Sequence, residues 1–215
     1  MKINYHKLML DEIKKNEDKN QRPKLMLHSC CAPCSTYVLQ FLSEYFEIEI
    51  FFFNPNIHPE REYLYRLEEQ IRLVQDMGLP YKVMGPEHES KSFYEAVKGL
   101  EALGEGSERC YKCFILRLGR TANYAKAKGF DYFGTTLTIS PLKNSKQLNE
   151  VGFALEEAIG IKFLPSDFKK NNGYKTSVEL SKEYKLYRQD YCGCAFSIKE
   201  SQERQRQRER SSCEN

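Results

Sequence analysis

The chain of 215 residues holds eight cysteines, and seven of them fall in three short groups: Cys30-Cys31-x-x-Cys34, Cys110-x-x-Cys113 and Cys192-x-Cys194. Thiolates so close in sequence reach one ion at little cost in chain entropy. In a reducing compartment, clustered cysteines bind metal or carry redox chemistry. A disulfide framework fits poorly, because neighbouring residues have Cα atoms about 3.8 Å apart whereas a disulfide wants about 4.4–6.8 Å. One tetrahedral zinc or one [4Fe–4S] cubane takes four ligands, so seven cysteines leave three over. The surplus points to a second metal, or to a redox-active dithiol beside the first. A structural zinc with spare cysteines is the plainer alternative. Gly193 has no Cβ, which lets the backbone turn so that the sulfurs of Cys192 and Cys194 face one centre. Cys213, in a polar tail, reads as a bystander.

The elements that must position these sulfurs follow from hydrophobic periodicity. Residues 24–28 predict a strand that runs straight into the first cysteine group. Pro33 stops it, and Ser35 is the expected N-cap of a helix through Val38, Leu39 and Leu42. Residues 46–53 predict a strand buried on both faces, as in a parallel sheet, broken at Asn54-Pro55-Asn56. A helix over 60–77 follows, with Leu64, Leu67, Ile71 and Val74 as its apolar stripe and Gly78 as its stop. Beyond it the pattern predicts strands at 81–84, 130–137 and 162–164 and helices over 93–102, 110–128, 145–159 and 175–185. This alternation, with no internal repeat, predicts the α/β class: a single Rossmann-like domain whose parallel sheet is covered by helices on both faces. Ligands of such sheets sit outside the carboxyl ends of the strands, where residues 28–34, 54–58 and 135–142 would meet. The domain is expected over 23–198. Residues 1–22 read as a polar, helical extension whose apolar cluster is Leu8, Met9, Leu10 and Ile13. Residues 199–215 read as a polar tail, either a solvated helix or disordered.

Composition sets the outer bounds. Hydrophobic residues make up 40% and charged residues 29%, ordinary for a globular domain. No apolar run approaches the ~18–20 residues that cross a bilayer. The polar N-terminus does not read as a signal peptide, so a cytoplasmic protein without a membrane partner is expected.

Four segments together resemble one family. They are His28-Ser29-Cys30-Cys31-Ala32-Pro33-Cys34, Phe53-Asn54-Pro55-Asn56-Ile57, Arg109-Cys110-Tyr111-Lys112-Cys113 and Tyr191-Cys192-Gly193-Cys194. With the stretch TTLTISPLKNSKQLN at 135–149, they resemble the QueH epoxyqueuosine reductases over residues 25–197. A lone C-x-x-C would mean little; the set is specific. The resemblance implies an enzyme that reduces the epoxide of epoxyqueuosine to queuosine at the wobble position of tRNA, the last step of queuosine biosynthesis. It implies a [4Fe–4S] cluster, an adjacent mononuclear iron and an external electron donor, with a queuosine-type tRNA and no DNA as partner. It also implies kinship with the nucleotide-binding α/β hydrolase-like (HUP/PP-loop) folds. A cysteine loop stands where those folds carry a Gly-rich pyrophosphate loop, so no ATP chemistry is expected. At Cys34 the family pattern also admits Asp; both are anionic ligands, and the thiolate is the softer.

By grouping, Cys110, Cys113, Cys192 and Cys194 are assigned to the cubane, and Cys30, Cys31 and Cys34 to the second metal. His28, Tyr111 and Asp190 adjoin the cysteine groups and are the candidate acids for the leaving oxygen; each could instead hydrogen-bond a sulfur. Net charge is only +3, yet residues 109–128 carry six basic side chains (Arg109, Lys112, Arg117, Arg120, Lys126, Lys128) and no acidic one. That is a candidate phosphate-binding stripe or a solvated helix face, with Lys143, Lys146, Lys169, Lys170 and Lys175 as possible extensions. Tyr132 and Phe133 either stack a splayed base or belong to the core. The tail balances four arginines against four glutamates and argues only weakly for RNA. Two alternatives stay open: a zinc-stabilised RNA-binding module, and an ATP-using tRNA sulfur-transfer enzyme of the same fold.

Overall fold

The computed structural model describes residues 3–213, and side chains as far as residue 210. In chain order the elements are α1 (Tyr5–Glu17), β1 (Lys24–His28), α2 (Ala32–Leu42), β2 (Glu47–Phe51), α3 (Glu60–Asp76), β3 (Val83–Met84) and α4 (Lys91–Ala96). They continue with α5 (Glu108–Ala127), β4 (Tyr132–Thr135), a 3-10 turn (Thr136–Ile139), α6 (Ser145–Ile159), β5 (Lys162–Phe163), α7 (Gly173–Glu183) and α8 (Ala195–Cys213).

The five strands form one parallel sheet in the order β3-β2-β1-β4-β5. Central β1 pairs with β2 on one side, Leu27 opposite Ile50, and with β4 on the other, Leu27 opposite Gly134. Both of its faces are therefore covered. Leu25 and Leu27 enter one apolar layer with Val38, Leu39 and Leu42 of α2 and Val74 of α3. Met26 enters the other with Phe114, Leu118 and Ala122 of α5 and Leu148 and Val151 of α6. The same alternation splits Ile50 from Phe51 and Tyr132 from Phe133, as the pleat requires. Tyr132 and Phe133 are core residues, 2% and 0% exposed, and neither stacks a base. The expected α/β, Rossmann-like architecture is the observed one.

Several boundaries differ from the periodicity, each for a physical reason. Helix α2 begins at Ala32, three residues before the expected cap at Ser35. Its N-cap is Cys31, and Pro33 sits in its first turn, where the missing N–H costs nothing. Pro33 thus starts a helix, and Ser35 lies inside it. In α3 the buried face is Tyr63, Arg66, Gln70, Leu73 and Val74. Leu64 and Ile71 are exposed. The 130–137 strand ends at Thr135 because the 3-10 turn follows at once. Helix α4 is shorter than the 93–102 window. Within residues 1–22, α1 sends Met9 and Ile13 into the first apolar layer, while Leu8 and Leu10 face outward. The tail is a helix from Ala195 onward; Cys213 lies beyond the described side chains. Among the described residues no helix is long and apolar enough to cross a membrane.

Candidate metal centre

Strand order reverses on either side of β1, so a crevice opens at its carboxyl end. All three cysteine groups converge there, each next to a helix start. Cys31 is the N-cap of α2. Cys110 lies in the first turn of α5. Cys194 immediately precedes α8, where Ile198 N–H donates to its carbonyl at 3.0 Å. Helix N-termini favour negative charge and present free N–H groups, which is the setting that favours a thiolate.

The sulfurs of Cys30, Cys31 and Cys34 lie within 4.8 Å of one another, and those of Cys30 and Cys31 are 3.7 Å apart. Sulfurs bound at about 2.3 Å to one ion have separations of this order, so the trio fits a single metal. The Cys30 thiol is held well below its ordinary range because Cys31 and Cys34 donate to it. Cys31 is pushed up to about 12, first by its hydrogen bond to Cys30, and Cys34 is raised for the same reason. Negative charge is thus favoured at Cys30 over its two neighbours, and a cation would draw all three into thiolate form.

The other four sulfurs are more widely set. Cys113 and Cys194 are buried in an apolar shell with Phe93 and Val97, closed by Leu116 and Phe196. Cys110 receives the Gly106 N–H at 3.3 Å, and Cys194 the Ser197 N–H at 3.4 Å. Burial pushes Cys113 up to about 12 and raises Cys110 and Cys194 as well. Four thiolates around a cubane bind different corners, so they stand further apart than ligands of one ion. A dry shell with N–H donors to the sulfurs is the environment such a cluster takes.

Three arginines are buried around these sulfurs: Arg66, Arg109 and Arg117, each 3% exposed or less. Arg66 pairs with Glu62 at 2.7 Å, and Arg109 with Glu200 at 2.7 Å. Arg117 donates to the Asn54 side-chain oxygen, its Nε finds no partner, and among the described residues no carboxylate pairs with it. A buried cation needs negative charge nearby. Burial disfavours the charge on Arg117, and the nearby sulfurs of Cys113, Cys30 and Cys192, once thiolate, are what favour it. The donor set and this orphaned buried cation together fit an anionic iron–sulfur group.

Cys192 links the two sets. Asn56 reaches its sulfur at 4.0 Å, and Arg66 its carbonyl at 3.4 Å. Gly193, at φ +101°, accepts the His58 N–H at its carbonyl at 2.8 Å. A Cβ on Gly193 would stand 2.9 Å from the Arg66 guanidinium, so the glycine is needed both for its backbone angle and for this close approach. A cavity of roughly 710 Å³ opens in front, lined by Cys30, Cys31, Cys34, Cys192, Lys143 and Asp190 among others.

The candidate acids separate. Asp190 is exposed and lines this cavity. Tyr111 is half-buried against the α5–α6 layer and lines no part of it. His28 is fully buried. Its Nε2 proton goes to the Phe53 carbonyl at 3.2 Å, and its Nδ1 accepts from the Thr135 hydroxyl at 3.1 Å. The direction of the second bond follows from the first, since an imidazole carrying its single proton on Nε2 has only a lone pair at Nδ1. Burial, with Arg117 nearby, pushes His28 down to about 3. Both ring nitrogens are engaged, so His28 ties the β1, β2 and β4 ends together. The basic stripe of α5 is corrected too, since Arg109 and Arg117 point inward to the sulfurs and leave only four of its six cations at the surface. Lys143 turns into the cavity. Burial lowers its ammonium pKa, and the sulfurs of Cys192, Cys30 and Cys34 outweigh that and raise it. Arg66 and Gln70 went unnoticed in the sequence, and Asn54 was singled out only within a strand break and a family segment. Their signal was polar residues at positions that the strand ends and the α3 face must bury.

The family model described as "Epoxyqueuosine reductase QueH" matches residues 25–200. The chain belongs to the QueH family. Relatives named epoxyqueuosine reductase QueH include one from Staphylococcus epidermidis, 46% identical over 202 residues, covering 91% of this chain and 85% of that protein. One from Streptococcus pyogenes is 44% identical and covers 92% and 79%. One from Thermotoga maritima is 40% identical and covers 84% and 93%. Like the QueH proteins so named, this chain is an oxidoreductase. All seven cysteines of the QueH-like segments fall inside the matched span.

Proposed function

We propose that this chain reduces epoxyqueuosine to queuosine at the wobble position of tRNA. The reading rests on family membership, and one observation carries it on structural grounds. Two distinct sulfur sets, one compact and one buried, meet at a single cavity through Cys192. In this reading Cys110, Cys113, Cys192 and Cys194 hold a [4Fe–4S] cluster, and Cys30, Cys31 and Cys34 hold a mononuclear iron. When bound, the cluster supplies electrons one at a time from an external donor, and the single iron supplies Lewis acidity towards the epoxide oxygen.

The reaction takes two electrons and two protons, breaks both C–O bonds of the epoxide, forms the C=C bond and releases water. The chain's own groups serve the remaining needs. Arg117 and Arg66 offset the negative charge of the sulfurs in a dry site, where such charges are costly alone. Asp190 is the candidate acid that faces the cavity, and it delivers a proton to the departing oxygen. Gln70 accepts from the Ser29 hydroxyl at 2.6 Å, and Asn54 donates to the Ser29 carbonyl at 2.8 Å. Between them they fix the residue that precedes the trio. The Thr136 hydroxyl lies 3.8 Å from the Cys30 sulfur.

The test is single-turnover conversion of epoxyqueuosine-containing tRNA by anaerobic protein with a chemical reductant, read by nucleoside mass spectrometry. Queuosine should form, and Cys30→Ser should abolish it while RNA binding persists. Full activity in that variant would overturn the trio's role.

A further inference from the structure

The tail that balances four arginines against four glutamates in sequence is polarised once it is helical. The first turns of α8 are pinned. Arg109 pairs with Glu200 at 2.7 Å, Glu105 N–H donates to the same carboxylate at 3.1 Å, and Arg109 stacks over Phe196 at 4.7 Å. Glu200 is therefore consumed in anchoring. Beyond it, Arg204 and Arg208 are four residues apart and share one helix face, and both line the cavity in front of the cysteines. Ser201 and Gln205 share that face, against Asp190 and Tyr191. Glu203, Arg206, Glu209 and Arg210 line neither concavity. Arg188, also exposed, stands on the same rim. The inner cations, Arg66 and Arg117, are matched to sulfurs, whereas the rim cations lie further out. At 1.5 Å per residue, Arg204 is about 15 Å along the helix from Cys194 and Arg208 about 21 Å.

We infer that α8 is a phosphate-contacting arm: Arg204 and Arg208, with Arg188 opposite, bind the RNA backbone on the flanks of the nucleotide held at the cysteines. The exposed guanidinium groups on the cavity rim match a polyanion that must lie across its mouth. Both arginines lie beyond residue 200, where the family-model match ends, so the arm is not part of the span that defines the family. The inference rests on the RNA substrate proposed above and adds the element that grips it.

The experiment compares four full-length proteins: wild type, Arg204→Glu/Arg208→Glu, Arg204→Gln/Arg208→Gln, and Arg206→Glu/Arg210→Glu as a control with the same charge change on the other face. Binding of a labelled, unmodified anticodon stem–loop is measured by anisotropy across a salt series, apart from turnover. The first two variants should bind about tenfold or more weakly, with a salt dependence shallower by about one unit per lost phosphate contact. They should raise KM for the tRNA with kcat unchanged, and the control should bind as wild type does. Equal losses in the control would reduce the effect to net charge and overturn the inference. Wild-type RNA affinity in the Arg204/Arg208 variants with lost turnover would assign the patch to an acidic electron-transfer protein instead. Wild-type protein that converts the tRNA while the variants bind it unchanged defeats the arm alone. Wild-type protein that neither binds the hairpin nor converts the tRNA defeats the arm and the proposed function together.

Discussion

Arg117 is the side chain on which the chemistry of the centre turns. It is buried, no carboxylate among the described residues pairs with it, and cysteine sulfurs favour its charge. Arg117→Met keeps most of the volume and removes the charge, so the protein should fold yet retain less iron after anaerobic purification. Wild-type iron in that variant would contradict the role. Gly193 offers a second handle. Gly193→Ala forces a Cβ towards Arg66 at a positive φ, a strain of about 1–3 kcal/mol. It should lower thermal stability and loosen the Cys192–Cys194 turn, seen as faster loss of iron to a chelator. The cysteines were legible from spacing alone, because metal ligands advertise themselves by residue type. Arg117 was not: within a run of cations, nothing in the sequence marks which ones face inward. The partners of His28 were not legible for a related reason, since adjacency to Cys30 in sequence says nothing about Thr135 and Phe53, which occupy both its nitrogens.

The helices act on the centre through their starts and their buried faces. Three N-termini aimed at one crevice are legible only in part, because Cys31 caps α2 where Ser35 had the better capping chemistry. Helix α3 shows why hydropathy misleads beside a functional site. Its inner face alternates Leu73 and Val74 with Arg66 and Gln70, so the most apolar stripe in sequence is partly the outer one. Leu73→Ala should cost about 2–5 kcal/mol, whereas Ile71→Lys should stay within about 0.5 kcal/mol; chemical denaturation of the two variants checks the assignment. The parallel α/β architecture, by contrast, followed from the alternation of strands and helices, since local pattern and global fold agree there.

The whole molecule binds its outermost helix to the sheet through Glu12, and its site to its surface through α8. Glu12 accepts from Tyr132 at 2.7 Å and Lys162 at 3.1 Å. Burial alone would raise its carboxyl, but the hydrogen bonds from Tyr132, Lys15 and Lys162 hold it down at about 2. Its contribution to stability is therefore complete above about pH 4.5 and is lost as pH falls towards 2. Glu12→Gln should be less stable than wild type at neutral pH, and the gap should close across that window; a constant gap would contradict the coupling. Such long-range ties between residues 12, 132 and 162 leave no trace in local sequence. The proposed centre is a cluster and a separate iron, held by seven cysteines brought to one crevice. Its most direct test is iron, zinc and acid-labile sulfide analysis of protein purified and reconstituted without oxygen. A brown protein with about four sulfides and about five irons per chain is expected, a cubane plus one ion. A colourless protein holding zinc and no sulfide would contradict it.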